Sequence, residues 1–285
     1  VTDDAYRDPK AVSDVFGEDP HVTGRSQNPV SIDVASKTDI GRVRPNNEDS
    51  HLVLDISGAP LASGAPLKLI AVADGLGGHA AGGTASRMAI DCLKDAFAGP
   101  MLARLSSRKE ALATLKRSFV EANSCIHTAG AQPGKLRGMG TTLVAAIMGP
   151  DFLEVCNVGD SRAYVLCQDG DLRQVTRDHS WEAEYAEQFQ GAASELAGAT
   201  NLLTRALGPQ REVESDEFSE ELRAGEVLVL CSDGLSRMIP HAGIAAILSE
   251  AASLNAAVEE LVETANKYGG EDNITVIAAK PSIAP

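Results

Sequence analysis

The sequence predicts an α+β layered sandwich. Strand-like apolar runs come in groups with no helix between them, and amphipathic helical segments come in pairs. Four consecutive runs lie so close together that they must pair antiparallel. A regular strand–helix alternation, the mark of a parallel βαβ sheet, is missing, and so is any internal repeat. The 285 residues suit one large domain or two ordinary ones and bury enough surface to need no staples.

Residues 1–30 are polar, broken by Pro9, Pro20 and Pro29, and show no sustained apolar period, so they read as an arm outside the core. From Ser31 the pattern changes. SIDVASKTD, HLVLDI and LKLIAVAD read as strands joined by GRVRPNNED and the Gly/Pro-rich ISGAPLASGAP. A helix is expected from about Ala80 to Phe97. A second carries Leu112, Leu115, Phe119, Ala122 and Ile126 as one apolar stripe. TTLVAAIM, FLEVCNV, SRAYVLC and DLRQVT follow as short strands, with turns at Gly149-Pro150-Asp151 and Gln168-Asp169-Gly170-Asp171. The Glu- and Ala-rich stretch after Ser180, interrupted at Gly191 and Gly198, reads as a helical excursion on the surface. EVLVLC is a further strand, Leu254, Val258, Leu261, Val262 and Ala265 mark a C-terminal amphipathic helix, and NITVIAAK is the last strand.

Composition narrows the function. With 25 basic against 40 acidic residues the chain carries a net charge of −15, which argues against a nucleic-acid footprint. A phosphorylated substrate stays open, because bound divalent ions reverse the field of an acidic pocket. Cys92, Cys125, Cys156, Cys167 and Cys231 are odd in number and lack CxxC spacing, so buried reduced thiols are expected. No apolar run reaches 18 residues and no secretory leader is read, although the chain opens on Val1 rather than methionine. The expectation is a cytoplasmic protein.

Four segments, LIAVADG, VCNVGDS, VLVLCSDG and GEDNITV, place Asp74, Asp160, Asp233 and Asp272 at strand ends. Carboxylates there are costly unless something positive meets them. Each one alone reads equally well as a turn or helix-cap residue. Jointly, that reading needs four coincidences where a single cation site needs one. Oxygen-only donors suit Mg²⁺ or Mn²⁺, and no His/Cys cluster exists for zinc. Gly75-Leu76-Gly77-Gly78-His79-Ala80 also matches the GxGxxA dinucleotide fingerprint after a strand. Asp74 would repel a pyrophosphate there, and a second helix follows where a βαβ unit needs a strand. Arg44 reads either as a solvated arginine paired with Glu48 and Asp49 or as a phosphate clamp. Glu48 and Asp49 in turn suit either metal-bound waters or the orientation of Arg44. No serine or cysteine has the setting of a covalent nucleophile.

RPNNEDS, ADGLGGHAAG, GMGTTLVA, VGDSRAY, TRDHS, NLLTRALG, SDGL and EDNITV occur in one order between about Ser31 and Lys280. As a set they resemble the metal-dependent protein phosphatases of the type 2C (PPM) class in their compact bacterial form. The resemblance implies a four-layer α-β-β-α sandwich, two antiparallel sheets flanked by helices, over residues 31–281. It implies that Asp74 bridges two metal ions (Mn²⁺ or Mg²⁺) with help from the Gly75 carbonyl, that Asp233 and Asp272 complete the pair, and that Asp160 with Asp233 holds a weaker third ion. Arg44 matches the phosphate-binding arginine, Glu48 and Asp49 the acids that tether metal waters. Asn273 and Gly234 are expected to shape loops.

Two departures stand out: Leu76 occupies the place where many eukaryotic members carry a histidine, and His79 lies too far on to inherit that role. Residues 180–204 match the place of the bacterial flap but lack its basic, proline-marked pattern. The expected activity is hydrolysis of phosphoserine or phosphothreonine by direct attack of a metal-bridging water, opposing a Ser/Thr kinase. The expected partners are phosphorylated proteins, including a cognate kinase and its substrates, with no nucleic acid and no membrane, and the protein is expected to act as a monomer. A binding-only pseudophosphatase and a dinucleotide oxidoreductase are the competing classes.

Overall fold

Two strands explain the layering. In β3 (Lys68–Ala73) and β11 (Val227–Cys231) nearly every residue is buried, because each strand is covered on both faces. Leu69, Ala71 and Ala73 of β3 meet one helical layer while Ile70 and Val72 meet the opposing sheet. Val227, Val229 and Cys231 of β11 likewise face helices, and Leu228 and Leu230 face the other sheet. The period-two alternation of strand side chains thus builds three apolar layers from two sheets.

The computed structural model describes residues 30–77, 80–132, 134, 136–188 and 202–283; the polar arm before Val30, His79 and most of the predicted flap lie outside the described residues. One sheet has the order β1-β12-β11-β8-β9, with β1 (Val30–Asp39), β8 (Arg162–Leu166), β9 (Leu172–Gln174) and β12 (Ile274–Ile283). The other has the order β10-β7-β6-β3-β2, with β2 (Ser50–Asp55), β6 (Leu143–Met148), β7 (Phe152–Val158) and β10 (Asp216–Glu221). All pairings are antiparallel. A two-stranded ribbon joins β4 (Gly75–Leu76) to β5 (Gly140–Thr141).

Helices α1 (Ala80–Ala96) and α3 (Arg108–Gly130) cover the outer face of the second sheet, joined through the short α2 (Gly99–Leu102). Helices α6 (His241–Glu250) and α7 (Leu254–Lys267) cover the first, so the predicted four-layer sandwich is the observed one. Ser107 and Ser253 cap α3 and α7, their hydroxyls accepting from the backbone N–H of Glu110 and Ala256 at 3.2 Å each. The expected surface helix begins as α4 (Trp181–Gln188). Strand β10 and helix α6 were not foreseen. β10 (DEFSEE) is an edge strand of mostly charged residues, and α6 is too evenly apolar to show a stripe. Among the described residues no helix is long and apolar enough to cross a membrane.

Strand direction places the site. β3 and β7 both run antiparallel to β6, so their C-terminal ends, at Ala73 and Val158, lie at one end of their sheet. In the other sheet Cys231, the last residue of β11, pairs with Val276 near the start of β12. Four chain segments that leave or enter strands therefore open at a common edge of the sandwich.

Candidate metal and phosphate site

Asp74 follows β3 directly, Asp160 lies two residues beyond β7, Asp233 two beyond β11, and Asp272 two before β12. All four line one cavity of about 440 Å³, together with Gly75, Arg44 and Glu48. Leu76, Gly77, Leu203, Arg237 and Asn273 complete much of its wall. Asp49 is not in that wall. It stands behind, its Oδ2 accepting from Ser232 Oγ at 2.8 Å and Thr275 Oγ1 at 2.6 Å.

The Thr-Thr pair opening β6 explains the position of Asp74. Thr142 N–H and Thr141 Oγ1 both donate to the Asp74 carbonyl, at 2.9 and 2.8 Å, and Asp74 N–H donates to Thr142 Oγ1 at 3.0 Å. Thr142 Oγ1 also meets Ser161 Oγ at 2.7 Å, which ties the Asp74 loop to the Asp160 loop. Gly159 has φ +108°, a left-handed geometry, and a Cβ there would fall 2.6 Å from Thr142 Cβ. His179 holds that same turn. Its backbone N–H donates to the Gly159 carbonyl at 2.9 Å, and its Nδ1 accepts from Gly159 N–H at 3.1 Å. Across the cleft, Asn273 accepts from Glu48 N–H at 2.7 Å and donates to the carbonyls of Ile40 and Asn46 at 2.9 and 3.0 Å. The loop that carries Arg44 is stapled in this way to the loop that carries Asp272, and the expectation that Asn273 shapes loops is met. Gly75 and Gly82 approach so closely that a Cβ on Gly82 would lie 2.7 Å from the Gly75 carbonyl and 2.3 Å from Glu48 Oε2.

Packing acids this densely raises their proton affinity. Burial pushes Asp74 well above the ordinary carboxylate range, with the charges of Asp49, Asp233, Asp272 and Asp160 adding to it. Burial raises Asp49 and Asp160 to about 7, and it raises Asp233 with the help of Asp272. Two guanidiniums offset part of this charge. Arg44 Nη2 lies 2.6 Å from Asp272 Oδ2, and Arg237 Nη1 lies 3.1 Å from Asp233 Oδ2. Arg44 therefore pairs with Asp272, not with the neighbouring Glu48 and Asp49 considered from sequence. With Asp272 and Asp233 turned to arginines, no three acidic, His or Cys side chains among the described residues converge at metal-ligating spacing.

The donor set nevertheless fits a hard divalent cation. It is all oxygen, and Asp233 Oδ1 and Asp49 Oδ1 are buried without a hydrogen-bond partner. A divalent ion among Asp74, Asp233 and Asp272 answers both the unpaired oxygen and the mutual repulsion. Sequence reasoning missed Arg237, Ser232, Thr275, Thr142 and His179. Arg237 lies two residues past SDGL, whose Asp-Gly drew the attention, and the others act through bonds between segments far apart in the chain.

A family profile described as protein phosphatase 2C matches residues 46–276. The serine/threonine phosphatase stp of Listeria welshimeri is 38% identical over 249 residues, which is 87% of this chain and 95% of that protein. A solved structure of the Streptococcus agalactiae serine/threonine phosphatase superposes with a TM-score of 0.79 at 32% identity, over 87% of this chain and 99% of that one. The catalytic domain of the serine/threonine protein phosphatase PstP, solved in complex with two manganese ions, gives a TM-score of 0.72 at 33% identity, over 88% of this chain and 99% of its own.

Proposed function

This chain belongs to the protein phosphatase 2C family, and from that premise we propose that it hydrolyses phosphoserine and phosphothreonine on proteins without a covalent phosphoenzyme, reversing the work of a Ser/Thr kinase. The observation that carries the reading is the convergence of Asp74, Asp160, Asp233 and Asp272 from four strand ends on one cavity that also holds Arg44. Asp74, Asp233 and Asp272, with the Gly75 carbonyl, would hold two divalent cations, Mn²⁺ or Mg²⁺. Bound there, such ions supply a water of lowered pKa as nucleophile and stabilise charge on the phosphoryl oxygens.

The chain's own groups do the rest. Arg44 is 54% exposed on a loop and pairs only through its tip with Asp272, so it can exchange that carboxylate for two oxygens of an incoming phosphate. Asp49, held by Ser232 and Thr275, keeps its second oxygen directed away from those bonds and buried, fit to accept a proton or to orient a water. Leu76 gives the wall an apolar face with no proton to donate, so the proton for the leaving alkoxide comes from another group or a water of the site. Residues 31–281 make up the catalytic domain and the segment around 180–204 its flap; Leu203 brings the far end of that segment to the cavity wall.

The test is turnover of a phosphothreonine peptide by the metal-loaded protein. Asp233→Asn should abolish hydrolysis with an unchanged far-UV spectrum, and Arg44→Ala should lower kcat/KM by about 10²–10³-fold, the cost of losing one preorganised charge-stabilising donor. Full turnover by Asp233→Asn would remove that residue from the mechanism.

A further inference from the structure

We infer that Arg237 is a built-in cation of this site, holding an oxygen of Asp233 that a third divalent ion shared with Asp160 would otherwise take, and that it leaves the chain with two metal ions instead of three. The inference rests on the metal-dependent reading above and deepens it. Arg237 follows the four-residue helix α5 (Asp233–Ser236), one turn beyond Asp233, and its Nη1 donates to Asp233 Oδ2 at 3.1 Å. The carboxylates whose charge it feels are, in order, Asp233, Asp272 and Asp160. It lines the main cavity beside Asp160 and also the smaller cleft that Arg44, Gly234, Met238, Glu271 and Asp272 enclose.

The two arginines of the site differ in their tethers. Arg44 comes from a loop in another part of the chain and can leave Asp272 for a phosphate. Arg237 is anchored an i,i+4 step from its partner, at the C-terminal cap of the short helix that Asp233 opens, so its charge stays with Asp233. It occupies Oδ2 and leaves Oδ1, the buried oxygen without a partner, directed elsewhere. One oxygen of Asp233 is thus committed to a guanidinium and one remains for a metal. Charge balance points the same way. Arg44, Arg237 and two divalent ions already outweigh the four aspartates and Glu48 of the cavity wall, and a third ion would meet the Arg237 guanidinium as a like charge in a poorly screened cleft. Because Arg237 works through Asp233, it is a positioning residue.

The experiment is calorimetric titration of the metal-stripped full chain with Mn²⁺, checked by counting bound manganese after equilibrium dialysis. The wild type should saturate at two ions. Arg237→Ala should take up a third, bound at least about tenfold more tightly than any further ion on the wild type. Arg237→Lys, which keeps the charge, should stay at two. If Arg237→Ala does not fold by far-UV circular dichroism, Arg237→Gln carries the same test. Equal stoichiometry and affinity in wild type and the neutral variants would overturn the inference, as would a third ion already on the wild type; in both cases the metal-dependent reading stands. A wild type that binds no Mn²⁺ would overturn both.

Discussion

Replacing Asn273 by alanine should loosen the cavity edge of the sandwich. Asn273 is buried to 4% exposure and makes three side-chain hydrogen bonds, all to backbone groups of the Arg44 loop: Glu48 N–H at 2.7 Å, Ile40 C=O at 2.9 Å and Asn46 C=O at 3.0 Å. Each is worth about 0.5–1.5 kcal/mol net, so removing all three costs about 3 kcal/mol. For a domain of this size each kcal/mol lowers Tm by about 2–4 °C, which sets the expected drop at about 6–12 °C. The assay is thermal unfolding followed by circular dichroism on the metal-stripped protein, so that altered metal affinity does not enter the result. A second readout is the peptide phosphatase assay, in which kcat should fall because Arg44 and Asp272 lose their common anchor. A Tm within about 1 °C of wild type would refute the reasoning, since that is less than one net hydrogen bond can explain.

Gly82→Ala would drive a methyl to 2.3 Å from Glu48 Oε2 and 2.7 Å from the Gly75 carbonyl, and the relief of that overlap should cost about 1–3 kcal/mol in a urea unfolding series; an unchanged midpoint would show that α1 can retreat freely. The third prediction concerns pH. Burial holds the His179 imidazole below its ordinary value, so the unfolded chain takes up that proton first as pH falls. The contribution of neutral His179 is then complete above about 6.5 and is lost as pH drops below that value. Protonation would also remove the Nδ1 acceptor from Gly159 N–H, while Arg177, Arg205 and Asp216 face the other side of the ring. The fall in Tm between about pH 7 and pH 5 should therefore be shallower in His179→Gln than in wild type; parallel slopes would remove His179 as the cause.

What the sequence disclosed and what it withheld divide along one physical line. The layers were legible because burial on both faces leaves a mark that does not depend on the partner: LKLIAVAD and EVLVLC are apolar at nearly every position wherever they pack. The candidate metal acids were legible because each stands at one end of an apolar run, a local feature that is costly and so conspicuous. β10 was not, since an edge strand needs only one paired side: Glu217, Ser219 and Glu221 take its exposed face, and on the half-buried face Phe218 is the one apolar residue between the ion-paired Asp216 and Glu220. α6 was not, because periodicity is the signal for a helix and HAGIAAILSE is apolar almost all round.

The site's supporting shell was illegible for a different reason. Thr142 matters through bonds to Asp74 and Ser161, Asn273 through bonds to residues 40–48, and Ser232 through Asp49, pairs separated by 19 to 233 positions. A hydroxyl or amide has the same composition whether it caps a turn or joins two loops, and only the pairing of the strands that bring those loops together decides which: β11 against β12 for Ser232, and β6 against β3 and β7 for Thr142. Arg237 shows where that limit bites. An arginine four residues after an aspartate is, on any exposed helix, an ordinary i,i+4 pair worth a few tenths of a kcal/mol. The same pair lies in the wall of a cavity with three other aspartates, and there we infer that it limits how many cations the cavity can hold. Its role follows from the surroundings that the fold assembles, and the spacing that forms it carries no trace of them.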